Sequence, residues 1–342
     1  MSPSPRVPIE SVSPQALRDF MAARPEGSYV LVDVRQPEEY RQEHIPGARL
    51  VPVGELARLL ATLDPAQDHV FYCRSGGRSA AAAVMAAESG RFAAPSLGMG
   101  GSGATGGLSG SDATAGMGGT DATGGMGGSA ATAGGRILNL TGGMNAWSAG
   151  PGQAVANSPR IQVFAGVRSM VELLRRALDM EKAAHLLYTR VRAAGPKPAV
   201  CALMDRLIGV EMAHARVVYH HLAQRWDADA HADATRGPLP PFDALFDALE
   251  GRVLEGGMAV ADLEPWLRDA ASGDCLDIAE LALEVEMNAY DLYRTLADEA
   301  RRGSGLGGLA ERAFLDLATQ EKTHARMIIY QIATFSTDGE DR

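Results

Sequence analysis

A cysteine and two Glu-x-x-His pairs are the residues of this chain whose types and spacing could do chemistry. Cys73 lies in Val70–Ala87, VFYCRSGGRSAAAAVMAA: an apolar β-type run ends at the thiol, a turn of small and cationic residues follows, and an Ala-rich segment reads as helix. A side chain on a loop that leaves a parallel strand and feeds a helix N-terminus stands where open α/β sheets place reactive groups. In such a loop the backbone N–H groups of Arg74 to Arg78 curl around the sulfur. The helix starting near Ser79 turns its positive end toward it, and Arg74 and Arg78 add charge. Each effect favours the nucleophilic thiolate over the thiol. Free cysteines are usually buried structural thiols, but Gly76 and Gly77 open the backbone beside this one.

The second chemistry lies in an internal repeat of the last half. LDMEKAAHLLY (Leu178–Tyr188) aligns with LEVEMNAYDLY (Leu283–Tyr293), each with a Glu seven residues before a Tyr. EMAHAR (Glu211–Arg216) aligns with EKTHAR (Glu321–Arg326). Residues i and i+3 share a helix face, so Glu211 with His214 reach one metal, as do Glu321 with His324, while Glu181 and Glu286 supply bridging carboxylates. One Glu from each of two helices and a Glu-x-x-His from each of two others is a carboxylate-bridged di-iron constellation, which calls for two iron ions and no organic cofactor. Glu280 and Glu284 are alternatives on the third helix, although Glu284 lies roughly 200° around the axis from Glu286. His185 is either an extra ligand or a partly buried polar residue, and Tyr188 and Tyr293 read as core packing near the site rather than redox relays. No His-Glu-x-x-His occurs, so a zinc protease is not indicated.

These residues need two kinds of scaffold. Ser13 and Pro14 signal a helix to about Ala23. Strands are expected at Tyr29–Val34, Leu50–Val53, Val70–Cys73 and Arg136–Leu140, and helices at Glu38–Glu43, Glu55–Leu63 and Ser79–Ser89. Alternating strands and helices give a parallel sheet covered on both faces. Beyond residue 160 only helical patterns remain: Val163–Ala194, Ala199–Gln224, Leu276–Arg302 and Gly308–Thr334. The connection between the second and third carries short helices at Phe242–Leu249 and Leu263–Ala270. Short, long and short connections make a ferritin-like four-helix bundle with one crossover.

Gly98–Ala133 is four nine-residue repeats of Gly, Ser, Ala and Thr with Met or Leu once per repeat and Asp only at Asp112 and Asp121, too poor in large apolar residues to form a calcium-binding β-helix or a core. It reads as a flexible insertion, which a surface loop tolerates at little cost. The expected domains are 1–150, with the low-complexity insertion at about 96–135, a linker at 151–160, the helical bundle at 161–336 and a tail at 337–342.

With 32 basic and 42 acidic residues the formal net charge is −10, which disfavours nucleic acid or an anionic membrane as partner. Cys73, Cys201 and Cys275 form no Cys-x-x-Cys pair, as expected in a reducing cytoplasm, and Cys201 and Cys275 read as structural. MSPSPRVPIE lacks an apolar leader core, and no run reaches the roughly 18 apolar residues that span a bilayer. A cytoplasmic protein is expected.

CRSGGRS resembles the active loop of rhodanese-type sulfurtransferases. LVDVRQPEEYRQEHIPGA (Leu31–Ala48) is similar to that family's N-terminal segment, and ILNLTGGMNAW (Ile137–Trp147) to its closing strand and turn. The long insertion departs from the short loop typical of the family. The repeat of the helical half resembles rubrerythrin-type ferritin-like proteins, without the rubredoxin-like Cys-x-x-Cys module they typically carry.

The first resemblance implies a Cys73 persulfide formed from thiosulfate or another small sulfane-sulfur donor and passed to a thiol acceptor, with Arg74, Ser75, Gly76, Gly77, Arg78 and Ser79 as the substrate-binding loop. Arg78 either attracts the anionic donor or anchors the loop through Asp33 or Glu38. Relatives with a longer loop act on phosphate or arsenate, which the six-residue loop here disfavours. The second resemblance implies two irons, an external electron donor and a homodimer formed through the bundle. Three readings follow: a sulfurtransferase coupled to a di-iron site, a di-iron oxidoreductase acting on peroxide or sulfur species, and a persulfide carrier whose bundle only binds metal and dimerises.

Overall fold

The computed structural model describes residues 7–92, 135–149, 167, 169–226, 237–264, 267, 275–302 and 308–338. The Gly-rich repeats and the expected 151–160 linker lie outside these residues.

The first half is a five-stranded, wholly parallel sheet. In chain order it comprises β1 (Ile9–Val12), α1 (Pro14–Ala23), β2 (Tyr29–Asp33), α2 (Pro37–Gln42), β3 (Ala48–Leu50), α3 (Leu56–Leu59), β4 (Asp68–Tyr72), α4 (Gly77–Glu88), β5 (Ile137–Leu140) and α5 (Gly143–Ser148), with strand order β1-β5-β4-β2-β3. Strand alternation divides the core cleanly. Val30, Val32 and Phe71 pack against Leu56, Leu60, Ala82, Ala83 and Ala86 on one face. Tyr29, Leu31, Val70, Tyr72 and Leu138 pack against Leu17, Ile45 and Trp147 on the other. Ser13 caps α1, its Oγ accepting the Ala16 N–H at 3.2 Å, as the Ser-Pro pair indicates.

Four elements differ from expectation. β1 is an additional edge strand, exposed at Ile9, Glu10 and Ser11, so it lacks an apolar run. β3 ends at Leu50 rather than beginning there, and residues 53–62 form short 3-10 and α turns rather than one helix. The TGGMNAW turn continues into helix α5.

The second half is four long helices, α6 (Met170–Ala193), α7 (Pro198–Trp226), α9 (Cys275–Arg301) and α10 (Gly308–Asp338), with short α8 (Phe242–Ala248) in the crossover. α6 pairs with α7 and α9 with α10, the ferritin-like arrangement. α10 runs past the expected start of the tail at 337. Of the second expected crossover helix, a 3-10 turn at Val260–Leu263 is seen, and most of the rest lies outside the described residues. Two apolar clusters fill the bundle. One is centred on Leu174, Val218, Tyr293 and Phe314, and the other on Leu187, Leu203, Val285 and Ile328. On all four helices the stretch between them is where the acidic and histidine residues stand. Among the described residues, no helix is long and apolar enough to cross a membrane.

The halves are docked through buried polar contacts. The Tyr290 and Tyr29 hydroxyls lie 3.2 Å apart, Arg294 pairs with Glu26 at 3.2 Å, and Lys322 pairs with Glu26 at 2.6 Å. Asp291 accepts the Gly47 N–H at 2.7 Å and lies 3.1 Å from His44 Nε2. The bundle therefore meets the starting ends of β2 and β3, whereas Cys73 follows the finishing end of β4.

Candidate functional site

At the end of β4 the chain turns sharply about Cys73. Gly76 takes φ +100°, a left-handed conformation open to glycine, and so directs its N–H at the Cys73 sulfur, 3.1 Å away. Ser79, buried in the first turn of α4, donates its hydroxyl to the same sulfur at 3.6 Å. Burial alone would raise the thiol pKa. The Ser79 hydroxyl and the N–H groups of Ser79, Ser75 and Gly76 outweigh it and hold Cys73 below the ordinary thiol value. The cysteine is 1% exposed, the floor of a loop whose rim residues Arg74, Ser75 and Gly77 are exposed.

The two arginines differ. Arg74 points to solvent, and its carbonyl accepts the Asn145 N–H at 2.9 Å. Arg78 makes two hydrogen bonds of 2.8 Å to the Glu39 carboxylate, which these hold down to a pKa of about 2. Its anchor is thus Glu39, not Asp33 or Glu38. Asp33 is committed to Arg35 at 2.7 Å, and Glu38 to Arg41 at 3.0 Å. Arg78 still acts electrostatically on Cys73.

The closing turn braces the loop. Met144 N–H donates to the Cys73 carbonyl at 2.8 Å, and a Cβ on Gly143 (φ +56°) would lie 2.2 Å from that same oxygen. Gly143→Ala should therefore cost about 1–3 kcal/mol through strain at positive φ alone, with more from the clash. The expected readout is a lower melting temperature together with a Cys73 thiol that alkylates at the rate of an ordinary cysteine. Ser79→Ala should act on the sulfur itself. Losing a donor to the thiolate raises its pKa, so the acid limb of the rate of Cys73 alkylation by iodoacetamide moves to higher pH, while the plateau above the pKa is unchanged.

The six ligand candidates of the bundle converge between the two apolar clusters, none more than 5% exposed. His214 Nδ1 lies 2.7 Å from Glu321 Oε1 and 3.0 Å from Glu181 Oε2. His324 Nδ1 lies 3.0 Å from Glu286 Oε2, 3.4 Å from Glu321 Oε2 and 3.9 Å from Glu211 Oε1. Three overlapping groups have donor atoms mutually within 4.8 Å: Glu181, Glu211 and His214; Glu211, Glu286 and His324; and His214, Glu321 and His324. Glu211 and Glu321 are shared between the ends of the cluster, whereas Glu181 and Glu286 each stand at one end. Glu211 and Glu321, rather than Glu181 and Glu286 from which bridging was expected, are thus the carboxylates that approach both ends.

The repeat becomes a pseudo-twofold of hydrogen bonds. Tyr293 Oη donates to Glu181 Oε1 at 2.8 Å, and Tyr188 Oη donates to Glu286 Oε1 at 2.6 Å. Both tyrosines orient a terminal carboxylate and are more than core packing. The donor set fits a pair of transition-metal ions. Four carboxylates and two imidazoles suit iron, and Glu211 Oε1 and both ring nitrogens of His214 are buried without an aligned hydrogen-bond partner. Burial, then repulsion from Glu286, Glu181 and Glu321, pushes Glu211 well above the carboxylate range. Burial would lower His214, but the charges of Glu181 and Glu321 prevail and raise it. With four carboxylates against two imidazoles, the cluster is short of positive charge.

His185 does not join it, lying edge-on to Phe246 at 5.8 Å, and Glu280 and Glu284 are exposed. Cys201 donates to the Pro196 carbonyl at 3.2 Å, and Cys275 packs beside the second apolar cluster. Sequence reasoning missed Glu39, for which Asp33 and Glu38 were rivals on the same segment, and the buried acid Glu255, 3% exposed, which carries no motif.

The chain matches the family model described as the rhodanese-like domain over residues 14–102, and that described as rubrerythrin over residues 277–341. The latter spans α9 and α10, so Glu181, Glu211 and His214 enter the cluster through the internal repeat. An HTH-type transcriptional regulator of Mycobacterium tuberculosis is 48% identical over 56 residues, 16% of this chain and 25% of that protein. The Bacillus subtilis protein YtwF is 38% identical over 71 residues, 21% of this chain and 67% of that protein. The thiosulfate sulfurtransferase PspE of Escherichia coli is 38% identical over 61 residues, 17% of this chain and 59% of that protein. The chain thus spans a quarter of the first relative's length and about two thirds of the second's. It belongs to the rhodanese-like family through its N-terminal domain and carries a rubrerythrin domain in its helical half.

Proposed function

We propose that the chain is a sulfurtransferase with a metal centre in its helical domain, the two units spanning about 1–150 and 161–336. The Cys73 thiolate attacks the outer sulfur of thiosulfate or a similar sulfane donor. The new S–S bond gives a Cys73 persulfide, and the S–S bond of the donor breaks to release sulfite with its electron pair. A thiolate acceptor then attacks the outer persulfide sulfur and returns Cys73 to thiolate. Loop N–H groups hold the persulfide charge, and Arg74, exposed and with no ion pair among the described residues, draws the anionic donor. Arg78 fixes the loop through Glu39. The observation that carries this reading is the Cys73 sulfur at the floor of a loop with donors converging on it. The test is a single turnover with thiosulfate, expected to give one protein-bound sulfane sulfur and one sulfite per chain. Absence of both overturns it.

Glu181, Glu211, His214, Glu286, Glu321 and His324 would hold two irons, which would supply redox chemistry toward peroxide or a sulfur species, with electrons from an external donor. Tyr188 and Tyr293 orient the terminal carboxylates, and the apolar clusters on either side exclude water. Because the bundle meets the opposite ends of the strands from Cys73, sulfur passing between the centres of one chain would travel as a small diffusible species. A homodimer through the bundle and a reducing, cytoplasmic setting complete the proposal.

A further inference from the structure

Glu255 belongs to no motif and to no element of the four-helix frame, yet it is 3% exposed. It sits at the tip of a tight hairpin in the crossover, where the Leu254 N–H donates to the Met258 carbonyl at 2.9 Å and the Gly257 N–H to the Leu254 carbonyl at 2.9 Å. The hairpin is pressed onto α6 beside Glu181. The Gly251 N–H donates to Asp179 at 3.0 Å, a Cβ at Gly251 would meet Lys182 and Ala183 at 2.9 and 3.0 Å, and Leu254 is fully buried with Ala183, Ala184 and Leu187. This fixed backbone turns the Glu255 side chain inward. Its Oε1 is buried with no hydrogen-bond partner among the described residues. The groups that act on its charge include Glu181 and His214, which stand at one end of the cluster of candidate ligands, and Glu321, which both ends share.

A buried carboxyl with one oxygen left without a donor, set among other carboxylates, costs stability unless a cation offsets it. From this we infer that Glu255 is a seventh ligand of the metal centre, serving the ion held by Glu181 and His214 and not its neighbour. The inference rests on the metal-centre reading above. It has a structural consequence that the six-ligand set lacks. The internal repeat makes the two ends alike, each with one terminal Glu, one His and shared Glu211 and Glu321. The hairpin lies in the crossover between α7 and α9, outside both copies of the repeat, so the repeat does not duplicate Glu255. One ion then has one more carboxylate than the other, and the two positions differ in affinity.

The test is a titration of the metal-free full chain with Co(II), followed by visible absorption, on wild type, Glu255→Gln and Glu250→Gln. Wild type should take up two Co(II) in two separable steps. In Glu255→Gln the tighter step should weaken by about 10–100-fold, as expected when support to a metal site is removed, with a changed ligand-field band. Glu250 is exposed and pairs with Arg252 on the same segment, so Glu250→Gln should match wild type. Glu255→Gln removes a buried acid, so the metal-free variant should melt at or above the wild-type temperature, which separates ligation from a folding role. Two Co(II) bound by Glu255→Gln with wild-type affinities and spectrum would overturn the seventh ligand and leave the centre standing. A wild-type chain that binds no Co(II) overturns both.

Discussion

Cys73→Ser should abolish sulfur transfer while leaving the fold intact. In a single turnover with thiosulfate the variant is expected to hold no sulfane sulfur, and sulfite release should fall on the order of 10³-fold or more, the scale on which loss of an enzymic nucleophile acts, equivalent to about 4 kcal/mol of barrier. The cause is chemical. The loop stabilises an anion on sulfur through Gly76 N–H and Ser79 Oγ, but the same donors cannot bring a serine hydroxyl near ionisation at neutral pH. Serine is nearly isosteric and can accept the Gly76 N–H, so the melting temperature should barely change. Cys201→Ser should retain turnover, because that thiol donates to the Pro196 carbonyl away from the loop. Full sulfite release by Cys73→Ser would sink the sulfurtransferase assignment, whatever the family of the domain.

The sequence revealed the thiol loop because strand, turn and helix are contiguous there, and local physics decides the outcome. Gly76 takes up the left-handed conformation that its place before α4 demands, and Ser79 falls where the first helical turn faces back. The buried Glu and His cluster was legible for a different reason: two copies of one spacing pattern are hard to produce by chance, and i, i+3 geometry carries Glu211 to His214 and Glu321 to His324 directly. Roles that depend on how four helices cross were not legible. Spacing alone cannot say that Glu321 reaches both histidines while Glu181 reaches one, because that depends on the axial offset of α6 against α10. The partner of Arg78 was ambiguous for a related reason, with Asp33, Glu38 and Glu39 all within a short stretch. Only the pairing of Arg35 with Asp33 and of Arg41 with Glu38 leaves Glu39 for Arg78. β1 escaped because an edge strand with Glu10 and Ser11 has no apolar signature, and Glu255 because a hairpin tip acquires its burial wholly from tertiary packing.

Glu211→Gln should cost both metal ions, whereas Glu181→Gln should cost one. Glu211 belongs both to the group with Glu181 and His214 and to the group with Glu286 and His324, and Glu181 belongs to the first alone. Metal analysis of protein purified in iron-replete medium is expected to give two irons per chain in wild type, about one in Glu181→Gln and close to none in Glu211→Gln. Stability should follow occupancy. At a thousandfold excess over Kd, a bound ion stabilises the folded state by about 4 kcal/mol, or roughly 8–16 °C in Tm for a domain of this size. The metal-free proteins should reverse that order. Burial and the charges of Glu286, Glu181 and Glu321 raise the Glu211 pKa, and an amide of the same shape introduces no charge to repel. Metal-free Glu211→Gln should accordingly melt no lower than metal-free wild type, and the variant should gain little on adding Fe(II) where wild type gains the full increment. Retention of two irons by Glu211→Gln would contradict a shared carboxylate at this position. A lowered Tm without metal would mean that the cluster is held together by its own hydrogen bonds and is not a site waiting for positive charge.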